Sequence, residues 1–444
     1  MGKEHKVRKA LVWAAMGIAA SIGLTSLSFA DETCNSPFVS ALIKGQEKFL
    51  HVWTLGLPGM GDESDKLVTI DVDPNSSDFG KVVDSLTVGG RGEAHHLGFS
   101  DDRRYLWAGR LDDNKIFVFD LIDPAKPKLA KTITDFVQKT GFVGPHTFYA
   151  MPGRMMVQAL SNAKTHDGQT GIAVYSNAGE LVSVHPMPLN DGGDGYGYDI
   201  GINPNKNVVL TSSFTGWTNY MMDLGTLIKD SEAMKKFGSS MVIWDLKSMK
   251  PKKVLSVPGA PLEIRWSLRP GDNWAMTATA LTGKLWLIKQ DENGEWQAKA
   301  VADIGDPSKI PLPVDISISA DGKQLWVDTF MDGTARLFDI SNPEKPKQIF
   351  SEKIGNQVNM VSQSWDGKRV YFTTSLLANW DKKGEENDQF LTAYDWDGKK
   401  LTHKFTVDFN KLQLGRAHHM KFSGKATSAA VGTDASTNVA SSQN

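Results

Sequence analysis

The chain has 444 residues, with 49 Lys+Arg against 51 Asp+Glu and a formal net charge of −2. That near balance, with no basic run after the N-terminal segment, excludes a nucleic-acid or anionic-membrane partner recognised by charge. A single cysteine excludes an intrachain disulfide and any multi-cysteine zinc or iron–sulfur centre.

Residues 1–30 read as a secretory signal. Lys3, Lys6, Arg8 and Lys9 form a basic start, 10–29 is apolar and small, and Ser28-Phe29-Ala30 offers small residues at the two positions a signal peptidase reads. The expectation is export to the periplasm. The mature chain then starts near Asp31 and makes no membrane contact after cleavage. Cys34 follows Asp31-Glu32-Thr33, which are not the small and apolar residues that precede a lipid-modified cysteine, so it reads as a lone thiol. Residues 424–444 are rich in Ser, Ala, Thr, Asn and Gly with no apolar period, and read as a disordered tail.

Between these ends, 31–423, a unit of about forty residues recurs. Residues 97–133 hold four short β-branched and aromatic runs separated by turn residues: HLGFS, YLWAGRL, KIFVFDL and KLAKTI. The same order returns at 313–354 and from 359, with weaker copies at 145–187, 198–257 and 262–304. Residues 49–88 supply only three strands, FLHVWTLG, KLVTIDV and KVVDSLTV; the C-terminal AHHMKFS supplies the missing first strand. The prediction is an all-β, seven-bladed β-propeller closed by a 3+1 clasp of N- and C-terminal strands, which removes open sheet edges. Residues 221–238 read as a helical insertion in the fourth unit and 379–388 as a charged, solvated insertion in the last.

Three copies of the first strand carry histidine at one repeat position: AHHLGFS (94–100), GPHTFYA (144–150) and AHHMKFS (417–423). Read from the clasp blade, that position holds His419, His96, His146, Asp199, Glu263, Asp315 and Met360. A ring fold carries such a position to one level of a shared axis. Three imidazoles converging from adjacent blades are a cradle for copper, zinc or nickel with coordination positions left open. The carboxylates opposite are placed to orient imidazole N–H groups or to take a proton, and Glu263 and Asp315 are the candidate catalytic bases. His95 and His418, one residue off, alternate to the opposite side of an ideal strand, although irregular strand starts leave them as candidate ligands. His51, His166, His185 and His403 fall outside the register. DGGDGYGYD (191–199) reads as a tight entry to the fourth blade, lacking the spacing of a calcium loop or a P-loop. SSFTGWTNYMM (212–222) places aromatics beside a mouth loop.

DETCNSP, LVTIDVDP, GEAHHLGFS, IFVFDL, GPHTFY, GYDI, PLEIRW, PVDISIS and GRAHHMKF together resemble the selenium-binding protein family, bacterial branch, over roughly 31–423. The resemblance implies copper dependence and the oxidation of methanethiol by dioxygen and water to formaldehyde, hydrogen sulfide and hydrogen peroxide. The partners are then a small thiol and dioxygen. It implies a metal site at His95, His96, His146, His418 and His419, and it matches Cys34 to the family's N-terminal cysteine. Animal members carry a further cysteine just after DVDP; here that region reads DVDPNSSDFGKVV, with Gly80 near the place, so the resemblance does not extend to selenium attachment. Two other readings stand beside it: a non-catalytic periplasmic metal-binding or protein-docking propeller, and a calcium-dependent hydrolase using the axial carboxylates. The sequence leaves the oligomeric state open, a homo-oligomer included.

Overall fold

The computed structural model describes residues 36–424, apart from 268 and 270. The signal-like segment, Cys34 and the tail beyond 424 lie outside the described residues. Within them the chain forms seven four-stranded antiparallel sheets, six of them built in sequence order from an inner strand outward. The inner strands are Ala94–Phe99, Phe142–Met151, Ile200–Asn203, Pro261–Trp266, Pro313–Ile318, Val361–Gln363 and Arg416–Ser423. The last of these completes the blade begun by Phe49–Leu55, Lys66–Asp71 and Val82–Thr87, so the propeller and its 3+1 clasp are as the repeat predicts.

Inner strands are packed between neighbouring blades and are buried along their length, as in Ala94–Phe99, whereas the outer strand Lys347–Lys353 is almost wholly exposed. The second and third blades approach closely. A Cβ on Gly98 would stand 2.2 Å from the Phe148 carbonyl oxygen, and one on Gly109 2.2 Å from that of Pro145. Glycine at both places lets the strand of His96 sit directly against the strand of His146.

The expected single helix over 221–238 is instead a chain of short turns, Leu224–Leu227 and Ser231–Met234, preceded by Trp217–Tyr220. Asp223 and Asp230 cap the second and third of these and break the run. Residues 36–48 cross the end of the channel where inner strands finish. Ser36 Oγ donates to the Ala150 carbonyl at 2.6 Å, Val39 and Ile43 are buried, and Glu47 accepts from Arg369 Nη2 at 2.8 Å and from the Trp365 N–H at 3.1 Å.

His51 lies outside the axial register and instead stitches the clasp: its ring nitrogens sit 3.1 Å from Thr69 Oγ1 and 2.8 Å from Ser423 Oγ. Burial, helped by the charge of Arg103, lowers its pKa from 6.5 to about 3. The folded ring therefore stays neutral while the unfolded ring takes a proton below about pH 6.5. Its contribution is whole above that pH and is lost as pH falls toward 3, at about 1.4 kcal/mol per pH unit. Denaturant unfolding of metal-free protein between pH 6 and 4 is expected to lose stability less steeply in His51→Gln than in the unaltered chain by about that slope. Parallel curves would contradict it.

Candidate metal centre

Five histidines meet on the axis. Ring centroids lie 4.8 Å apart for His95 and His96, 4.1 Å for His96 and His146, 3.9 Å for His95 and His418, and 4.7 Å for His96 and His419. All five are at most 2% exposed. His95, His96 and His146 offer ligand nitrogens within 4.8 Å of one another. The two extremities of the propeller thus share one site.

Ideal alternation would have turned His95 and His418 away, and the structure corrects this. Pairing steps from Ala94↔Arg110 to Leu97↔Ala108 in the second blade, three residues against two, so a β-bulge falls on His95 and His96. The clasp strand shifts register at His418 and His419, opposite Val52 and Thr54. The third blade does so at His146, between Pro145 and Thr147. The same irregularity falls beside Glu263 and Asp315. A bulge turns two successive side chains toward one side and re-aims them; here it brings both members of each HH pair into the cluster, their rings stacked at 8° in the case of His95 and His96.

A bulge disturbs the ladder, and beside those of the second and fifth blades the preceding blade supplies the acceptor for a main-chain N–H, an arrangement that recurs at Val361 of the seventh. The Leu97 N–H donates to His419 Nδ1 at 3.0 Å, the Ile264 N–H to Asp199 Oδ2 at 2.7 Å, and the Val361 N–H to Asp315 Oδ2 at 3.0 Å. In all three the donor is the residue after the next blade's axial position. His419 thus plays the part of Asp199 and Asp315. A main-chain N–H can only donate, so Nδ1 of neutral His419 carries the lone pair and its proton sits on Nε2.

The other tautomers are opposite. His146 Nδ1 lies 3.0 Å from the Tyr198 carbonyl, and His418 Nδ1 2.6 Å from the Ser375 carbonyl, each an acceptor only. Their Nδ1 atoms carry the proton and their Nε2 lone pairs point inward without a hydrogen-bond partner, as do both nitrogens of His95. Buried nitrogens left in this state are costly without a ligand. Burial holds His95, His96 and His146 well below the ordinary imidazole pKa, with neighbouring imidazoles adding to the effect, and lowers His418 to about 4. Neutral rings offer lone pairs without competition from protons. This donor set fits a nitrogen-seeking transition metal.

Asp199, Glu263 and Asp315 form the other half of the ring, and its centre is taken by a residue the sequence reading did not single out. Arg265, 3% exposed, reaches Asp199 at 3.3 Å, Glu263 at 3.2 Å and Asp315 at 2.9 Å. Its signal in the sequence is a cation inside the apolar run PLEIRW. The guanidinium stands where a calcium-dependent hydrolase would need its ion. Asp315 spends its oxygens on Arg265, the Ile316 N–H and the Val361 N–H, so it is placed as a brace. Glu263 Oε1 instead faces His96 Nε2 at 3.8 Å. Burial, reinforced by the charge of Asp199, raises the Glu263 pKa well above the usual carboxylate range. Met360 does not join the ring: it lies in one apolar cluster with Ile43 and Trp365, and blade seven offers Asn359, whose Nδ2 donates at 2.5 Å to the Ser375 carbonyl that also accepts from His418 Nδ1.

Breaking a buried charge network by removing its one cation leaves charges uncompensated. Arg265→Met is expected to destabilise the fold by about 3–5 kcal/mol in denaturant unfolding near neutral pH, and a loss under about 1 kcal/mol, the scale of an exposed pair, would contradict the assignment.

The sequence profile described as "56kDa selenium binding protein (SBP56)" matches residues 29–431. A protein of Hyphomicrobium named methanethiol oxidase is 74% identical over 430 residues, 97% of this chain and 99% of its own. One of Ruegeria pomeroyi with the same name is 58% identical over 421 residues, 92% and 96%. Among solved structures, a hypothetical selenium-binding protein of Sulfolobus tokodaii aligns with a TM-score of 0.75 at 25% identity, over 88% of this chain and 98% of that one. A periplasmic gluconolactonase of Pseudomonas aeruginosa, at 12% identity and a TM-score of 0.59 over 84% and 98%, shares the fold alone. With most of its length matched by the profile and by two such relatives, the chain belongs to the 56 kDa selenium-binding protein family.

Proposed function

We propose that this chain is a methanethiol oxidase, active in the periplasm, that uses copper held by His95, His96, His146 and His418. The substrate comes from the names of relatives that span nearly the whole chain. The observation that carries the metal is the set of buried, neutral imidazole nitrogens facing one another with no protein partner at His95, His146 and His418. No cysteine lies among the described residues, so the ligand set is nitrogen and water rather than the thiolate of a blue-copper site. The leader-like segment 1–30 supports export.

In the reaction, methanethiol, dioxygen and water, one molecule of each, give formaldehyde, hydrogen sulfide and hydrogen peroxide. Carbon loses two electrons and gains the oxygen of water; dioxygen takes the electrons and two protons. Bound copper would lower the thiol pKa so that sulfur binds as thiolate, and would pass electrons one at a time. The protein's residues do the rest. The Tyr198 and Ser375 carbonyls hold His146 and His418 in the tautomer that presents Nε2. His419 braces the bulge of the second blade through Leu97 and so fixes the direction of His95 and His96. Glu263 holds a proton beside His96 Nε2, positioned to exchange it as charge develops in the cradle. Apolar and aromatic side chains above, Tyr198 and Phe214 among them, keep bulk water out.

His146→Ala is expected to lose copper and oxygen uptake together while keeping its melting temperature within a few degrees. Retention of full copper and turnover would place the site elsewhere. His419 and His418 should separate in metal analysis of purified protein. His418→Ala should weaken copper binding by more than the roughly 10–100-fold cost of losing a residue that only orients a ligand. His419→Asn, which keeps an acceptor for the Leu97 N–H, should hold copper at the unaltered stoichiometry. Equal copper loss in both variants would make His419 a ligand.

A further inference from the structure

The imidazole cluster is sealed at both ends. The segment 36–48 covers one mouth. Over the other lie two insertions, 212–239 of the fourth blade and 373–389 of the seventh. Their apolar side chains, with Tyr198, Leu262 and Val314 from the starts of inner strands, form one continuous cluster. The aromatic rings step outward from the site: Tyr198 lies 4.2 Å from His146, Phe214 5.4 Å from Tyr198, and Tyr220 5.7 Å from Phe214. Trp217 packs on the strand of His146 itself, since a Cβ on Gly144 would stand 3.0 Å from its ring.

On the outer side of this layer is a cavity of about 330 Å³ lined by Leu111, Trp217, Tyr220 and Leu377, by the charged Arg91, Glu93 and Asp112, and by Met221 and Asn379. Its edge is also where the two insertions meet through polar contacts, whereas beneath it Trp380 packs on Phe214 at 5.7 Å and on Tyr220 at 6.4 Å between ring centroids. Asn379 Nδ2 donates to the Met221 carbonyl at 3.3 Å, the Leu224 N–H reaches the Asn379 carbonyl at 3.5 Å, and Lys383 pairs with Asp223 at 2.8 Å with side chains 69% and 49% exposed. A solvated ion pair adds little to such a seam. Such an exposed polar edge opens more readily than the buried aromatic contacts beneath it.

We infer that this seam is the substrate entrance, with Tyr220 and Leu377 setting its width; the inference rests on the oxidase reading above for the identity of the substrate. The layer to be crossed is apolar, which favours a small, uncharged thiol over any ionised solute. Methanethiol is neutral in water near pH 7 and so crosses as the uncharged thiol. Selection on size and charge is thus complete before chemistry begins.

The test uses metal-free full-length protein and diethyl pyrocarbonate, which acylates neutral imidazole and, being larger than methanethiol, is sensitive to the width of the path. Acylation of His146 is followed by mass spectrometry, with exposed His403 as internal standard and His51, buried at the far end of the clasp, as the monitor of a loosened fold. Leu377→Trp is expected to slow His146 relative to His403 by about tenfold and Tyr220→Ala to speed it by about tenfold, the scale of one step in an opening equilibrium. A His146 rate in Leu377→Trp within about twofold of the unaltered protein overturns the entrance, since a path through this wall cannot ignore the added ring. If His51 also speeds up in that variant, the fold has loosened and Tyr220→Ala decides by the same criterion. Because no turnover enters the readout, its failure leaves the oxidase reading intact. Absence of copper-dependent oxygen uptake in the unaltered chain would overturn that reading and leave the entrance standing.

Discussion

The site depends on a single recurring bond: a main-chain N–H, donated by the residue after the axial position of one inner strand, accepted by the axial side chain of the preceding blade. It appears as His419 to Leu97, Asp199 to Ile264 and Asp315 to Val361. A buried N–H without a partner would cost more than an ordinary hydrogen bond is worth, so the bulges of the second and fifth blades come with an acceptor from the blade before. Bulges point the HH pairs at the axis; acceptors pin the angle between blades. Ligand direction and ring closure are set by the same atoms.

The axial ring divides chemically into two halves. One half is imidazole and has a net preference for a cation that the chain does not itself supply. The other is carboxylate and contains its own cation in Arg265. Without that guanidinium the three carboxylates would compete with the imidazoles for any bound metal, since hard cations prefer oxygen. With it, Asp199 and Asp315 are committed to structure, and Glu263 alone faces the imidazole half at 3.8 Å. The division would steer the identity of a bound metal as well as its position.

Much of this is legible in the sequence, and for identifiable reasons. Turn residues fall at fixed intervals, so the blade period, the three-plus-one clasp and the histidine register follow from spacing alone. His96, His146 and His419 converge as the register requires. Side-chain direction is harder to read. A bulge leaves no mark in a six-residue run such as AHHLGF, so simple alternation turns His95 and His418 away. The tautomers of His418 and His419 depend on the Ser375 carbonyl and the Leu97 N–H, main-chain groups that no sequence pattern flags. Met360 holds the right register number, yet blade seven, whose inner strand begins only at Val361, offers Asn359 instead. Arg265 is visible as a cation in an apolar strand, but its partners come from three different blades.

The clasp has a consequence in time. Two of the five axial histidines, His418 and His419, lie on the final strand, Arg416–Ser423, and that strand pairs with Phe49–Leu55 from the other end of the propeller. A ribosome delivers that strand last. Until it docks, the cradle lacks one whole wall, and the Leu97 N–H has no imidazole to receive it. Before that strand docks, the axis holds only His95, His96 and His146, so the five-imidazole cluster is complete only once the two ends of the propeller have met.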